Sequence, residues 1–350
     1  VNVTLRRPLL IPLVPLYVAG VALRNWFFDR GIFRSTDVGV PVISIGNIDA
    51  GGTGKTPLVE LIVRKLASKG RKVAIVSRGY RRATKGLLVV NDGSPVAVQS
   101  SAVGDEPAQM ASKLQGVTVV VDEDRVRGAH HAVSKLHADV VVLDDGFQHR
   151  ALRRAVDIVL IPADKAIEPE WSLPAGNRRE PIGSLQRATM VALSRCDNRD
   201  HFLAAKRAIA TRTQKPIIGL STRISAVRRA TTKFSIDISG LSGKTVVAFY
   251  GIGTPEAFGR TLQSLGIELK AHTVFPDHHD YSESDLHSIA GLVAKHAADY
   301  VLTTEKDVMR LSSGGGHEGG FIEKTPLFYV EIEQQVIEGE AELNSVLDMI

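Results

Sequence analysis

Cysteine is almost absent from this chain: Cys196 is the only one in 350 residues. That excludes an internal disulfide framework and any Cys-rich metal site, and it favours a reducing compartment. Aromatic residues make up only 5%, and no Lys/Arg tract carries interleaved aromatics as a single-strand nucleic-acid binder would, so the net charge of +5 does not argue for nucleic acid. No internal repeat is visible, and Ser312–Gly320 is the one low-complexity stretch, read as a flexible loop with His317 in solvent. A 44% hydrophobic, 23% charged composition over this length is that of a globular protein with one large or two medium domains.

No uncharged run reaches the roughly 20 apolar residues of a spanning helix. The longest, Pro8 to Leu23, is shorter and carries Pro8, Pro12 and Pro15. Arg6, Arg7, Arg24, Arg30 and Arg34 flank it against only Asp29 and Asp37 before residue 40. The segment reads as an amphipathic or re-entrant element at a membrane face, with Trp26, Phe27 and Phe28 at headgroup depth and the arginines meeting anionic lipid. A helix packed on the protein's own core is the alternative; the lack of a small-residue cleavage site speaks against a signal peptide.

What is present is a phosphate-binding pattern. In VISIGNIDAGGTGKTP, residues 42–57, a β-branched run breaks into glycines and closes on Gly54-Lys55-Thr56, and Leu58, Ile62, Val63 and Leu66 follow at helical spacing. Asp49, Ala50, Gly51, Gly52, Thr53 and Gly54 form a loop whose N–H groups can cradle phosphates at a helix N-terminus. Lys55 would reach the β- and γ-phosphates of a nucleoside triphosphate and Thr56 would ligate Mg²⁺. Asp49 stands where the strict pattern has its first glycine, with Gly46 three residues earlier.

After this loop, apolar strand runs alternate with helical patterns, predicting a P-loop-like α/β fold with a doubly wound, mostly parallel sheet. Ala226–Ser242 is polar and lacks such runs. The expected division is an N-terminal membrane-associated segment over 1–38, a kinase-like core over 39–225 and a smaller α/β domain over 226–350.

Acids cluster at predicted strand ends. VVVLDD, residues 140–145, has the form of a strand that delivers Asp144 and Asp145 beside the phosphate loop, where one can hold Mg²⁺. Gly104-Asp105-Glu106-Pro107 opens a helix at the same edge, Asp105 fitting a base role and Glu106 a metal or water role, while simple helix capping fits equally well. Asp277-His278-His279-Asp280 offers an imidazole that could help a carboxylate take a proton, without a zinc-like ligand set elsewhere. Arg78 and its neighbours could meet an anionic substrate or lie exposed, and Thr304-Glu305-Lys306-Asp307 reads by default as a helix cap.

Together these blocks resemble one family, the tetraacyldisaccharide 4′-kinases of lipid A biosynthesis. The resemblance runs through GNIDAGGTGKTP (46–57), SRGYRR (77–82), VGDEP (103–107), LDDGFQH (143–149), LPAGNRREP (173–181), GIGTPEAF (251–258), FPDHHDY (275–281) and LTTEKD (302–307). It implies a peripheral P-loop kinase on the cytoplasmic face of the bacterial inner membrane. Such an enzyme uses ATP and Mg²⁺ to phosphorylate the 4′-hydroxyl of a membrane-embedded tetraacyldisaccharide 1-phosphate, giving lipid IVA, with no obligate protein partner. It implies Asp105 as base assisted by His278, with Thr56, Glu106, Asp144 and Asp145 in the metal and phosphate shell. Arg78 and Arg179 would fall to the substrate phosphate and the nucleotide side, and Asn177 and Arg178 depart from the family's pattern. A GTPase or metallochaperone-like switch shares the GGTGKT loop but would lack a lipid-facing N-terminus, and a soluble small-molecule kinase would have its N-terminus packed as core.

Overall fold

The computed structural model describes residues 7–93, 100–167, 170–232, 234–313 and 317–350. Its strands are β1 (Val42–Asn47), β2 (Val73–Ser77), β3 (Leu88–Asp92), β4 (Thr118–Val121), β5 (Val140–Asp144), β6 (Val156–Pro162) and β7 (Met190–Ser194) in the first half. Then follow β8 (Ile217–Arg229), β9 (Ser235–Ile236), β10 (Thr245–Tyr250), β11 (Glu268–Val274), β12 (Tyr300–Thr304) and β13 (Leu327–Glu338). They form one sheet in the order β11-β10-β12-β13-β8-β7-β6-β1-β5-β2-β4-β3, with β9 on β8.

The alternation of apolar runs and helices works as anticipated. β1, β2, β5, β6 and β7 are buried along their whole length and pair in parallel, since strands covered by helices on both faces must be apolar throughout. The edge strand β3, which the hydrophobic pattern did not single out, runs antiparallel to β4.

The expected boundary at 225 falls inside β8. This long strand pairs antiparallel with β13 from Gly219 to Arg229, so one ribbon carries the sheet from the first half into the second. The polar look of Ala226–Arg229 follows from that geometry, because the strand's burial alternates there. Core clusters nevertheless separate: one gathers Ile43, Leu58, Ile62, Ile75 and Val142, whereas Val246, Phe258, Leu302 and Val330 belong to another drawn only from the later residues. Of Ser312–Gly320, residues 314–316 lie outside the described residues, and the backbone from His317 to Lys324 is helical rather than looped.

The prolines do not interrupt the N-terminal segment. A tight helical turn over Pro8–Leu13 runs into an α-helix over Val14–Asp29 with Pro15 in its first turn, where a missing N–H costs nothing. The result is 22 residues long and apolar enough to cross a membrane by length and composition. Leu9, Leu16, Leu23 and Trp26 are exposed, while Tyr17 Oη donates to the Arg179 carbonyl at 2.9 Å and Asn25 Nδ2 to Glu180 Oε2 at 3.0 Å. One side of the helix is therefore docked and the other is bare.

Candidate active site

The phosphate loop leaves β1 at Asn47 and enters the helix Lys55–Ser68. Gly51 and Gly54 adopt φ of +104° and +91°, which a side chain would resist. Asn47 Nδ2 donates to Thr53 Oγ1 at 2.9 Å and Ser194 Oγ to the Thr53 carbonyl at 2.8 Å, so the tips of β1 and β7 hold the loop's shape. The Arg195 guanidinium donates to the Gly52 carbonyl. Gly46 is a packing glycine: a Cβ there would lie 2.6 Å from Phe147 Cβ.

Asp49 is fully buried with its side chain against Arg178, Oδ1 to Nε 3.2 Å. Its contribution to the loop is therefore through the backbone. The neighbouring Asn177 meets the same turn, its carbonyl accepting from Ala50 N–H at 2.8 Å.

Acids converge on Lys55. β5 ends in Asp144, and Asp145 takes φ of +51°, a left-handed conformation uncommon outside glycine and characteristic of constrained functional turns. Lys55 Nζ lies 3.5 Å from Asp145 Oδ1, and Arg179 Nη1 donates to both Asp145 oxygens at 2.9 and 3.2 Å. Arg125, presented by a helix that Asp124 caps, donates to the Asp145 carbonyl at 2.8 Å. Burial alone would raise the Asp145 pKa; Lys55 and Arg179 outweigh it and hold the carboxyl below its usual range.

Asp144 is the opposite case. Burial first, then the charges of Glu106 and Asp145, push it up to about 7 against the pull of Lys55 and Ser77. Oδ2 accepts from Ser77 Oγ at 3.0 Å, and Oδ1 is buried with no partner. An orphaned carboxylate oxygen beside two further acids is what a divalent cation satisfies, so Asp144, Asp145, Glu106 and Thr56 fit Mg²⁺. Among the described residues no three acidic, His or Cys side chains close into a preformed metal cage.

The helix Asp105–Lys113 begins with both candidate acids, each met by a cation from the second half. Lys306 Nζ donates to Glu106 Oε1 at 2.6 Å and keeps that carboxyl below its ordinary range. His278 Nδ1 lies 3.0 Å from Asp105 Oδ2 and Arg310 Nε 2.8 Å from the same oxygen. Burial opposes ionisation of Asp105, but hydrogen bonds from His278 and the Arg310 charge prevail and lower its pKa. His279 is engaged elsewhere, with Nε2 meeting Asp285 Oδ2 at 3.0 Å and its ring stacked on Phe275.

Of the sequence-predicted residues, Lys55, Thr56, Asp105, Glu106, Asp144, Asp145, Arg179 and His278 come to one end of the sheet. Arg78 is exposed near Arg125 and His149, and among the described residues it forms no ion pair with the carboxylates. Arg125, Lys306 and Arg310 were not anticipated. Thr304 does cap its helix, accepting from Asp307 N–H at 3.2 Å, but the charges after it reach across to the first half.

Residues 6–350 match the family described as Tetraacyldisaccharide-1-P 4′-kinase. The chain is 39% identical over 336 residues to the Tetraacyldisaccharide 4′-kinase of Anaeromyxobacter sp. (strain Fw109-5), covering 95% of this chain and 88% of that one. To the Tetraacyldisaccharide 4′-kinase of Chlorobium limicola it is 37% identical over 352 residues, covering 98% and 97%. The crystal structure of "apo" form LpxK from Aquifex aeolicus in complex with ATP superposes with a TM-score of 0.78 at 32% identity, covering 97% of this chain and 98% of that one.

Proposed function

The chain belongs to the Tetraacyldisaccharide-1-P 4′-kinase family, and from that premise we propose how its own residues move the γ-phosphate of ATP to the 4′-hydroxyl of a tetraacyldisaccharide 1-phosphate. The activity is that of an ATP-dependent lipid kinase of lipid A biosynthesis, yielding lipid IVA. A sugar hydroxyl is a weak nucleophile at neutral pH, so catalysis rests on in-line positioning, charge neutralisation and a local base.

The N–H groups of residues 51–54 cradle the phosphates, the Ala50 N–H being held by the Asn177 carbonyl, and Lys55 reaches the β- and γ-oxygens, exchanging its contact with Asp145 for the nucleotide. Thr56, Asp144, Asp145 and Glu106 would hold Mg²⁺, which would supply charge neutralisation at the transferring group. Asp105 accepts the proton of the attacking hydroxyl, and His278, in contact with Oδ2, stabilises the pair as the proton arrives. Arg179 stands on the nucleotide side through Asp145, and Arg78 at the open edge meets the substrate phosphate.

The docked helix Pro8–Asp29 supports peripheral attachment to the cytoplasmic face of the inner membrane. Its polar residues are tied to the body through Tyr17, Asn25 and Asp29, the last to Arg150 at 2.7 Å, while its bare apolar side would enter the lipid. A substrate held in the bilayer by its acyl chains requires an enzyme that works at that surface. Residues 39–225 and 226–350 act as a phosphate-binding core and a smaller α/β unit joined by the β8–β13 ribbon.

The observation that carries this reading is the 3.0 Å contact between Asp105 and His278 beside the Lys55–Asp145 pair. The test is transfer from γ-labelled ATP to tetraacyldisaccharide 1-phosphate in mixed micelles. Mg²⁺-dependent product is expected, with D105A lower by roughly 10²- to 10⁴-fold in kcat and H278A reduced less. A folded D105A protein that turns over like the unaltered one would remove Asp105 from the base role.

A further inference from the structure

The helix Glu305–Ser313 has no place in the phosphate-loop chemistry, yet it sends cations to two adjacent carboxylates of the first half. Lys306 takes Glu106 and Arg310 takes Asp105. Of the two, Arg310 is the more deeply set, with a side chain only 7% exposed.

Three hydrogen bonds fix its guanidinium, and a fourth contact sets it beside the imidazole that donates to Asp105. Nε donates to Asp105 Oδ2 at 2.8 Å, Nη1 to the Gly251 carbonyl at 2.9 Å and to Asp307 Oδ1 at 3.0 Å, and Nη2 lies 3.2 Å from His278 Nδ1. Asp307 is fully buried and immobilised in turn, accepting from Gly251 N–H at 3.2 Å on both oxygens and from Thr304 Oγ1 at 2.5 Å. The Gly251 carbonyl also accepts from His278 N–H at 3.3 Å. One residue's backbone thus sets both partners of Asp105, and it must be glycine, since a Cβ there would come 2.9 Å from the Pro276 carbonyl oxygen.

Both of these contacts fall on Asp105 Oδ2; among the described residues no hydrogen bond to Oδ1 is formed. A carboxylate held by one oxygen in a rigid two-donor grip presents the other in a fixed direction. We propose that Arg310 is a positioning residue for the reaction, aiming Asp105 Oδ1 at the attacking hydroxyl through a guanidinium anchored in the second half of the chain. This rests on Asp105 being the base. Arginine suits this position because its planar fork serves several acceptors at once with little freedom to reorient, which a lysine ammonium cannot reproduce. A simple strut between the two halves would need neither the fork nor the shared backbone anchor.

The test compares R310A and R310K with D105N in the full-length protein, measuring kcat and KM for ATP and for the lipid, thermal unfolding, and activity with added methylguanidinium. R310A should lose about a hundredfold in kcat, the scale of a misplaced reacting group, with both KM values little changed. R310K should recover folding but only part of kcat. Methylguanidinium should restore turnover to R310A and not to D105N. Unaltered kcat in R310A overturns the proposal. So does a loss that tracks thermal unfolding or raised KM and resists rescue, since that is the signature of a strut. Should R310A fail to fold, the kcat and KM of R310K decide in its place. Full activity in D105N would sink the base assignment and the aiming role with it, whereas an inactive D105N beside an unaltered R310A overturns the aiming role alone.

Discussion

Arg178 Nε lies 3.2 Å from Asp49 Oδ1, joining residues 129 apart in the chain. The pair explains how a carboxylate occupies a turn of the phosphate loop where glycine is usual. Burial raises the Asp49 pKa and Arg178 opposes it, so the acid is tolerated only with its partner. Oδ2 of Asp49 and Nη2 of Arg178 remain buried without hydrogen-bond partners, which leaves the pair little margin.

R178A should therefore destabilise the protein by about 3 kcal/mol, the scale for stranding one member of a buried ion pair. It should also raise KM for ATP, because the loop loses its seat. The double change D49N/R178Q, which removes both charges, should cost less than R178A alone. Urea unfolding of the three proteins checks this; equal stability of R178A and the unaltered chain would show that the pair carries no weight.

Asp144 gives the second prediction. D144N removes the orphaned carboxylate charge and should raise the Mg²⁺ concentration for half-maximal activity at least about tenfold, while S77A, which strips only the supporting hydrogen bond, should act in the same direction on roughly the 10- to 100-fold scale or below it. Titration of activity with Mg²⁺ after chelation reads both. An unchanged requirement in D144N would place the ion elsewhere.

Glu305 gives the third. It sits in a buried group with Glu60, Lys113 and Gln109, Lys113 Nζ lying 3.1 Å from Glu60 and 3.0 Å from Glu305. Burial, opposed by Lys113 and reinforced by Glu60, pushes Glu305 up to about 7 from an ordinary 4.5. The fold favours its protonated form, so stability is fully present below about 4.5 and is lost as pH rises through about 7. E305Q escapes that loss and should gain on the unaltered protein between about pH 4.5 and 7, by at most about 3 kcal/mol. Denaturant midpoints at about pH 5 and about pH 8, on either side of most of that window, measure it. A gap between the two proteins that does not widen with pH would sink the assignment.

What the sequence could reveal follows from how local each signal is. The loop 49–56 and the strand ending in Asp144 and Asp145 are contiguous and advertise their chemistry through spacing, whereas the acids opening the helix at Asp105 read equally well as a cap and take a role only from the family resemblance. Arg310 and Lys306 are not legible in this way. Their significance depends on a helix from the second half crossing to the first, and the polarity of Thr304–Asp307 is explained just as well by capping, which Thr304 also performs. The polar stretch after Leu220 suggests a boundary for a related reason: a strand whose burial alternates, as β8 does there, looks like a linker when hydrophobic runs are the guide.

The docked N-terminal helix ends this chain of contacts in an unexpected place. Tyr17 and Asn25 grip Arg179 and Glu180, and Arg179 in turn holds Asp145. Glu180 also receives Arg187 and Gln148, the latter bonded to the Asn47 carbonyl at the end of β1. Trimming the helix to make a more tractable protein would thus do more than remove an anchor: it would cut the mooring lines of the nucleotide pocket, and the shortened version would be a different catalyst rather than the same one set adrift.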